Sequence, residues 1–235
     1  MAGKLYLIPV PLNEHSSVDK FPSYQLQVVQ GLKYFIAEDL RTARRYLKFF
    51  KYPEIPTAEI AILNEHNNRE PLNHLLKPLL AGNNVGLMSD AGCPAIADPG
   101  AEIVRMAHIN GIEVVPLSGP SSILFAVMCS GFNGQNFAFN GYLPAERDRR
   151  EKNIRELEKT ALTKRQAQFF IETPYRSVNM LESCINALKP DTLLFLGADM
   201  ESTKPVYKTA PAKDWQKFQP ESIHKKPVVF GIWPF

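Results

Sequence analysis

Apolar residues recur along this chain in short blocks whose spacing switches between two periods, and that switching predicts strands and helices in turn. Residues 4–10 (KLYLIPV) read as a buried strand closed by Pro11, which cannot donate to a ladder. A polar loop to about Ser23 precedes a helix over 24–32, a strand at 34–37 and a helix over 40–50 with a basic outer face. A strand at 60–63 leads into a helix over 70–81, in which Pro78 predicts a kink. Next come a strand at 85–88 (VGLM), a helix over 100–110 with Gly111 as its C-cap, and a strand at 112–116 (IEVVP). Strands alternating with helices predict a parallel sheet covered by helices, so this half is an α/β domain.

The pattern changes after Leu117. An apolar helix over 123–129 is followed by an alternating strand at 136–142, a highly charged helix over 146–160 and a strand at 167–172. A helix over 177–188 and strands at 192–197 and 227–233 complete the chain. The reading is two α/β domains, residues 1–117 and 118–235, with no internal repeat.

Composition keeps this picture within the soluble globular class: 45% of residues are hydrophobic and 22% charged. The N-terminal apolar run is too short for a signal h-region, and no segment approaches the roughly 18 apolar residues of a membrane span. A cytoplasmic protein without a membrane partner is expected. Cys93, Cys129 and Cys184 are scattered and lack histidines at ligand spacing, so reduced thiols and no metal are expected. The net charge of +3 is unevenly spread. Residues 1–52 hold eight basic and four acidic side chains, 53–142 three and eight, and 143–235 sixteen and twelve, a distribution compatible with a nucleic-acid partner.

The candidate chemistry lies where strands end. In open α/β sheets, ligands bind beyond the carboxyl ends of the strands, and residues 89–100 (SDAGCPAIADPG) occupy that position after VGLM. Gly92 permits close backbone approach, Pro94 and Pro99 stiffen the loop, and Asp90 and Asp98 supply acceptors. A plainer reading makes Asp98 the cap of the next helix with Pro99 at its first position. A second Gly/Pro loop, residues 117–122, opens another helix, where Ser121 and Ser122 either cap it or face a ligand shared with the first loop. There is no GxGxxG between strand and helix, no GxxxxGK[ST] and no GxSxG.

Five strings, IAEDLRTARRYL (36–47), LNEHN (63–67), SDAGCPAIADPG (89–100), VVPLSGPSS (114–122) and FNGYLPAERDRR (139–150), resemble in order and spacing the tetrapyrrole-methylase superfamily. They are most similar to its ribosomal branch, the small-subunit ribosomal RNA (cytidine-2′-O)-methyltransferases. IETPYR (171–176) is similar to that family's E-S-x-H-R strand end, and KKPVVFGI to its last strand. Three features depart from the family. The first loop has Leu12, Asn13 and Glu14 where a glycine is usual, Gly197 to Lys204 replaces R-E-L-T-K, and the usual C-terminal extension is missing.

The resemblance implies S-adenosylmethionine bound in a cleft between two α/β domains. Pro9, Ser89, Asp90, Ala91, Gly92, Pro94, Ile96, Ser121 and Ser122 would hold its amino-acid and ribose parts. Phe170, Ile171, Ala198, Asp199, Met200 and Pro227 would enclose adenine. A ribose 2′-hydroxyl acceptor needs a proton acceptor, for which Glu38, Asp39 and Glu65 are candidates; the Glu38-Asp39 pair also suits a helix N-terminus. Arg41, Arg44, Arg45 and Lys48, and secondarily Arg147, Arg149, Arg150 and Lys152, are candidate phosphate contacts, with solvated helix faces as the alternative. A homodimer acting on small-ribosomal-subunit RNA is expected. The alternatives are a methyltransferase acting on a tetrapyrrole or other small molecule, and a cofactor-binding homologue without activity.

Overall fold

The computed structural model describes residues 2–63 and 72–235. The chain forms two compact units, residues 1–121 and 122–235, whereas the change of sequence pattern falls at Leu117.

In the first unit, β1 (Leu5–Leu7), β2 (Tyr34–Ala37), β3 (Glu59–Ile62), β4 (Val85–Leu87) and β5 (Val114–Pro116) form one sheet in the order β3-β2-β4-β1-β5. Every pairing is parallel. Such a sheet must bury both faces, and the strand residues divide accordingly. Phe35 packs with Ile8, Val29, Leu47 and Phe50 on one side, while Ile36 packs with Leu5, Leu79, Leu87 and Ile103 on the other. Helices α1 (Ser23–Gly31) and α2 (Leu40–Phe49) contribute to the first of these layers. Helices α3 (Lys77–Leu80) and α4 (Ala101–Ile109) contribute to the second.

The predicted helix over 70–81 is corrected. Residues 70 and 71 lie outside the described residues, Leu72–Leu76 is a 3-10 segment, and α3 covers only Lys77–Leu80. Pro78 sits in the first turn of α3, where its missing N–H costs no intrahelical bond, so it starts a helix instead of kinking one.

In the second unit, α5 (Ser122–Ser130), β6 (Phe137–Tyr142), α6 (Arg147–Lys164), β7 (Ala167–Glu172) and α7 (Ser177–Ala187) precede β8 (Leu193–Ala198), β9 (Val206–Pro211) and β10 (Val228–Trp233). The sheet order is β6-β7-β10-β8-β9. Only β6 and β7 pair in parallel; β10 runs antiparallel to β7 and β8, and β9 antiparallel to β8. Its main core joins Ile154, Phe170, Met180, Leu196, Trp215 and Phe230, with α6 and α7 on that face.

Two elements differ from expectation. Helix α6 continues past Thr160 because Ile154, Leu157 and Ala161 extend its buried stripe, while Thr160 and Thr163 return their hydroxyls to the carbonyls of Glu156 and Lys159. Strand β9 is absent from the sequence reading because VYKTAP lies at the sheet edge with only partly covered side chains.

Both tryptophans, Trp215 and Trp233, belong to the second unit, so their fluorescence reports on that unit. Phe230 is fully buried and its ring stacks on Phe170 with centroids 5.4 Å apart. Phe230→Ala is expected to lower the stability of this unit by about 3–5 kcal/mol, read from urea unfolding followed by tryptophan fluorescence.

Candidate active site

Strands β4, β1 and β5 are neighbours running in the same direction, so the chain leaves all three at one edge of the sheet. Three loops emerge there: the Pro9–Pro11 turn, the segment 89–100, and the segment 117–121. Their convergence is fixed by contacts that are far apart in sequence. Val10 N–H donates to Gly92 O (2.8 Å) and Gly92 N–H donates back to Val10 O (3.2 Å), an isolated antiparallel bridge.

Gly92 has φ +72°, a backbone state that disfavours a side chain, and a Cβ there would lie 3.1 Å from Leu12 Cδ2 and 3.6 Å from Pro120 O. Cys93 Sγ donates to the same Pro120 carbonyl (3.4 Å). Gly119 approaches Pro9 so closely that a Cβ would fall 2.3 Å from Pro9 Cβ. The Ser89 hydroxyl is buried and turns back on the carbonyls of Ala91 (3.3 Å) and Gly92 (3.5 Å).

Two side chains tie the helices to these loops. Gln25 of α1 is buried and donates from Nε2 to Pro9 O (2.7 Å). Tyr46 of α2 donates its hydroxyl to Asp90 O (2.5 Å) and lies 3.4 Å from Pro11 O. Burial raises the Tyr46 pKa, so the hydroxyl stays a donor. Sequence reasoning missed both residues; each reads as an ordinary helix position, and only the fold brings them to the strand ends.

The proposed proton acceptors separate. Asp39 is the N-cap of α2, accepting from Thr42 N–H through Oδ1 (2.8 Å), and that bond holds its pKa below the usual carboxylate range. Glu38 Oε1 accepts from Asp90 N–H (3.2 Å) and so steadies the loop. Glu65 lies outside the described residues, as does most of the LNEHN string.

The side-chain carboxylates of Asp90 and Asp98 make no hydrogen bond or ion pair among the described residues. Burial, reinforced by the Asp39 charge, raises Asp90; burial, reinforced by the Asp90 charge, pushes Asp98 up to about 6. The reading of Asp98 as a helix cap is corrected. Gly100 is the N-cap of α4, at φ 127° and without a side-chain cap bond, because the chain turns two residues later than Asp98 would require.

A polar amino-acid cofactor fits this edge: the Asp90 carboxylate, without a partner among the described residues, lies two positions before the Cβ-free backbone approach at Gly92. The first loop accommodates its lost glycine, since none of residues 9–16 has a positive φ. Pro94 is buried within the segment and Ile96 is exposed at its surface.

In the second unit, strand register brings the proposed adenine residues to one end of the sheet. Val228 pairs with Glu172 of β7 and with Ala198 of β8, which puts Phe170, Ile171, Ala198 and Pro227 near a common edge. Asp199 N–H donates to Pro227 O (3.2 Å), and Lys226 Nζ lies 3.6 Å from Asp199 Oδ2. Met200 is buried and folds its methyl back against Gly197. Ser122 opens α5.

The two basic groups differ in kind. Arg41, Arg44, Arg45 and Lys48 occupy one exposed stripe of α2 at i, i+3, i+4 and i+7, and none forms an ion pair among the described residues. Arg45 stacks over the Tyr46 ring (5.1 Å). On α6, Arg147 pairs with Glu151 (3.0 Å), which also holds Arg155 (3.3 Å). Arg150 is corrected as a phosphate candidate: it is buried, donating from Nε to Ser183 Oγ (2.9 Å) and from Nη1 to Ala145 O (2.7 Å). Arg149 and Lys152 are exposed.

The Gly119–Pro9 contact is testable by itself. Gly119→Ala forces the first and third loops apart, and an overpacking cost of about 1–3 kcal/mol is expected, read as a lowered calorimetric melting temperature.

No protein-family model matches the chain. Curated proteins named "Ribosomal RNA small subunit methyltransferase I" do. The Escherichia coli O157:H7 protein is 30% identical over 209 residues, covering 89% of this chain and 69% of that protein. The Thermotoga maritima protein is 30% identical over 198 residues, covering 84% and 83%. The Vibrio cholerae protein is 30% identical over 199 residues, covering 85% and 65%. With an α/β architecture in both units and this likeness along most of its length, the chain belongs to the ribosomal RNA small subunit methyltransferase I family, within the tetrapyrrole methylases.

Proposed function

We propose that this chain transfers a methyl group from S-adenosylmethionine to a ribose 2′-hydroxyl of small-subunit ribosomal RNA. Family membership supports the reaction class, and the observation that carries the RNA substrate is the stripe of four cations on α2 that form no ion pair among the described residues. That helix also grips the cofactor loop through Tyr46, so a phosphate backbone on its outer face would lie beside the site.

The cofactor would supply an electrophilic methyl on a sulfonium, reactive enough for in-line positioning to provide much of the acceleration. In the first unit, Pro9, Ser89, Asp90, Ala91, Gly92, Pro94, Ile96 and Ser121 would hold its amino-acid and ribose parts, with the Asp90 carboxylate as an acceptor. Glu38 and Tyr46 orient the loop. Within the second unit, Ser122, Phe170, Ile171, Ala198, Asp199, Met200 and Pro227 are the residues that the family resemblance assigns to the cofactor, the last six to its adenine. A homodimer in the cytoplasm is part of the same proposal; among the described residues no helix is long and apolar enough to cross a membrane.

Titration calorimetry with S-adenosylmethionine tests the cofactor first, and no heat at millimolar ligand would sink it. Labelled cofactor should then methylate unmodified small ribosomal subunits, whereas labelling of a tetrapyrrole alone would transfer the reading to small-molecule chemistry. For the RNA contact, Arg41→Ala combined with Arg44→Ala is expected to weaken RNA binding. It should also reduce the slope of log affinity against log salt by about 1 to 2, and Arg147→Ala should change it little.

A further inference from the structure

The second unit holds an open cavity of about 720 Å³ between the C-terminal half of α6 and the turn from α7 to β8. Its size falls in the range of small-molecule sites, about 300–1,000 Å³. Pro234, on its wall, follows Trp233, which pairs with Leu193 at the start of β8, whereas Ala198 and Val228 pair at the other end of the same two strands. At about 3.3 Å per residue, roughly 16 Å of strand separates the cavity from the proposed adenine residues. The described residues that line it include none of those assigned above to cofactor or RNA.

Helix α6 contributes Arg155, Glu158, Lys159 and Leu162, which share one face at i, i+3, i+4 and i+7. Glu158 is only 7% exposed. Its Oε1 accepts from Lys189 N–H (2.9 Å) and from the Thr192 hydroxyl, and so pins the α7–β8 turn. One oxygen performs that task. The other, Oε2, makes no hydrogen bond or ion pair among the described residues, which leaves a largely buried charged acceptor open to a donor. Arg155 is held by Glu151 (3.3 Å) and Asp191 by Lys213 (2.6 Å). Lys159 and Lys189 are exposed and form no ion pair among the described residues. Leu162, Ala187, Pro190 and Pro234 add apolar wall.

One carboxylate oxygen, two ammonium groups and an apolar wall set the chemistry of an occupant. A simple anion would satisfy the lysines and oppose Glu158; a polyamine would satisfy Glu158 and oppose the lysines. A nucleotide whose base carries an exocyclic amino group suits all three, with its amino N–H to Glu158 Oε2, its flat base on the apolar wall and its phosphate between the lysines. We propose that this cavity binds such a nucleotide, free or within an RNA strand, at a site apart from the proposed site of methyl transfer. The inference stands independently of the function proposed above.

Calorimetry of the full chain with cytidine and uridine 5′-monophosphates tests it. The two differ where an amino group is replaced by a carbonyl oxygen, which a carboxylate repels. The uridine nucleotide is expected to bind at least about tenfold more weakly than the cytidine one. Glu158→Gln keeps an acceptor for Lys189 N–H and Thr192, so its melting temperature should be retained, but it places N–H donors at the other position. Cytidine affinity should fall at least about tenfold and the preference over uridine should vanish. Lys159→Ala combined with Lys189→Ala, both exposed positions, should weaken both nucleotides.

A short oligocytidine distinguishes the sources. For an RNA strand it should bind more tightly than the mononucleotide, with the double lysine variant reducing the slope of log affinity against log salt by about 1 to 2. For a free nucleotide the order reverses. Saturating S-adenosylmethionine should leave cytidine affinity unchanged. Absence of binding at millimolar nucleotide, equal binding of cytidine and uridine, displacement by S-adenosylmethionine, or unchanged affinity in the double lysine variant overturns the proposal.

Discussion

The pair of backbone hydrogen bonds between Val10 and Gly92 is the constraint on which the first unit's site depends. Parallel strands deliver three loops to one edge of the sheet, but strand pairing ends before the loops begin. The Val10–Gly92 bridge carries the pairing of β1 and β4 past their last residues, reversing direction as the chains turn. It is possible only because Gly92 takes a left-handed backbone and leaves space for Leu12. Pro9 then packs into the gap at Gly119, and the third loop closes on the first two. A binding surface built this way is organised before any ligand arrives, which spares the ordering cost at binding.

Helices α1 and α2 complete that organisation through single polar atoms. Gln25 and Tyr46 each donate to a loop carbonyl that would otherwise lack a partner in a partly buried setting. Tyr46 joins the loop to the helix that carries the basic stripe. The basic stripe and the segment 89–100 are therefore linked directly through α2.

Most of the architecture was legible in the sequence because hydrophobic periodicity reflects burial, and burial decides which segments become strands or core helices. The failures fall where that link weakens. Strand β9 lies at a sheet edge and does not need an apolar pattern. Pro78 is compatible with either kinking or starting a helix, and its position relative to the first turn was not visible. At the site, Gly/Pro loops announced themselves by composition. Gln25 and Tyr46 did not, since their partners are 16 and 44 residues away. The same limit explains Arg150, which belongs to a charged run in the sequence but is drawn inward by Ser183 of another helix. Two basic clusters of similar composition thus separate into one that is partly neutralised or buried and one that forms no ion pair among the described residues.

The segment 89–100 concentrates features that oppose stability. Ala95 and Ala97 hold left-handed φ values of 65° and 63°, a state that costs L-residues roughly 1–2 kcal/mol each. Asp98, between them and Gly100, is partly desolvated near the Asp90 charge and has no bonded partner among the described residues. A loop with only a structural task would be relieved by common substitutions, glycine at 95 or 97 and a neutral side chain at 98. The strain persists because the surrounding bonds from Val10, Glu38 and Tyr46 hold the loop in place. Backbone strain and a carboxylate with no bonded partner among the described residues therefore meet in one loop at the end of the central strands, whereas the Asp39 carboxylate is committed to capping α2.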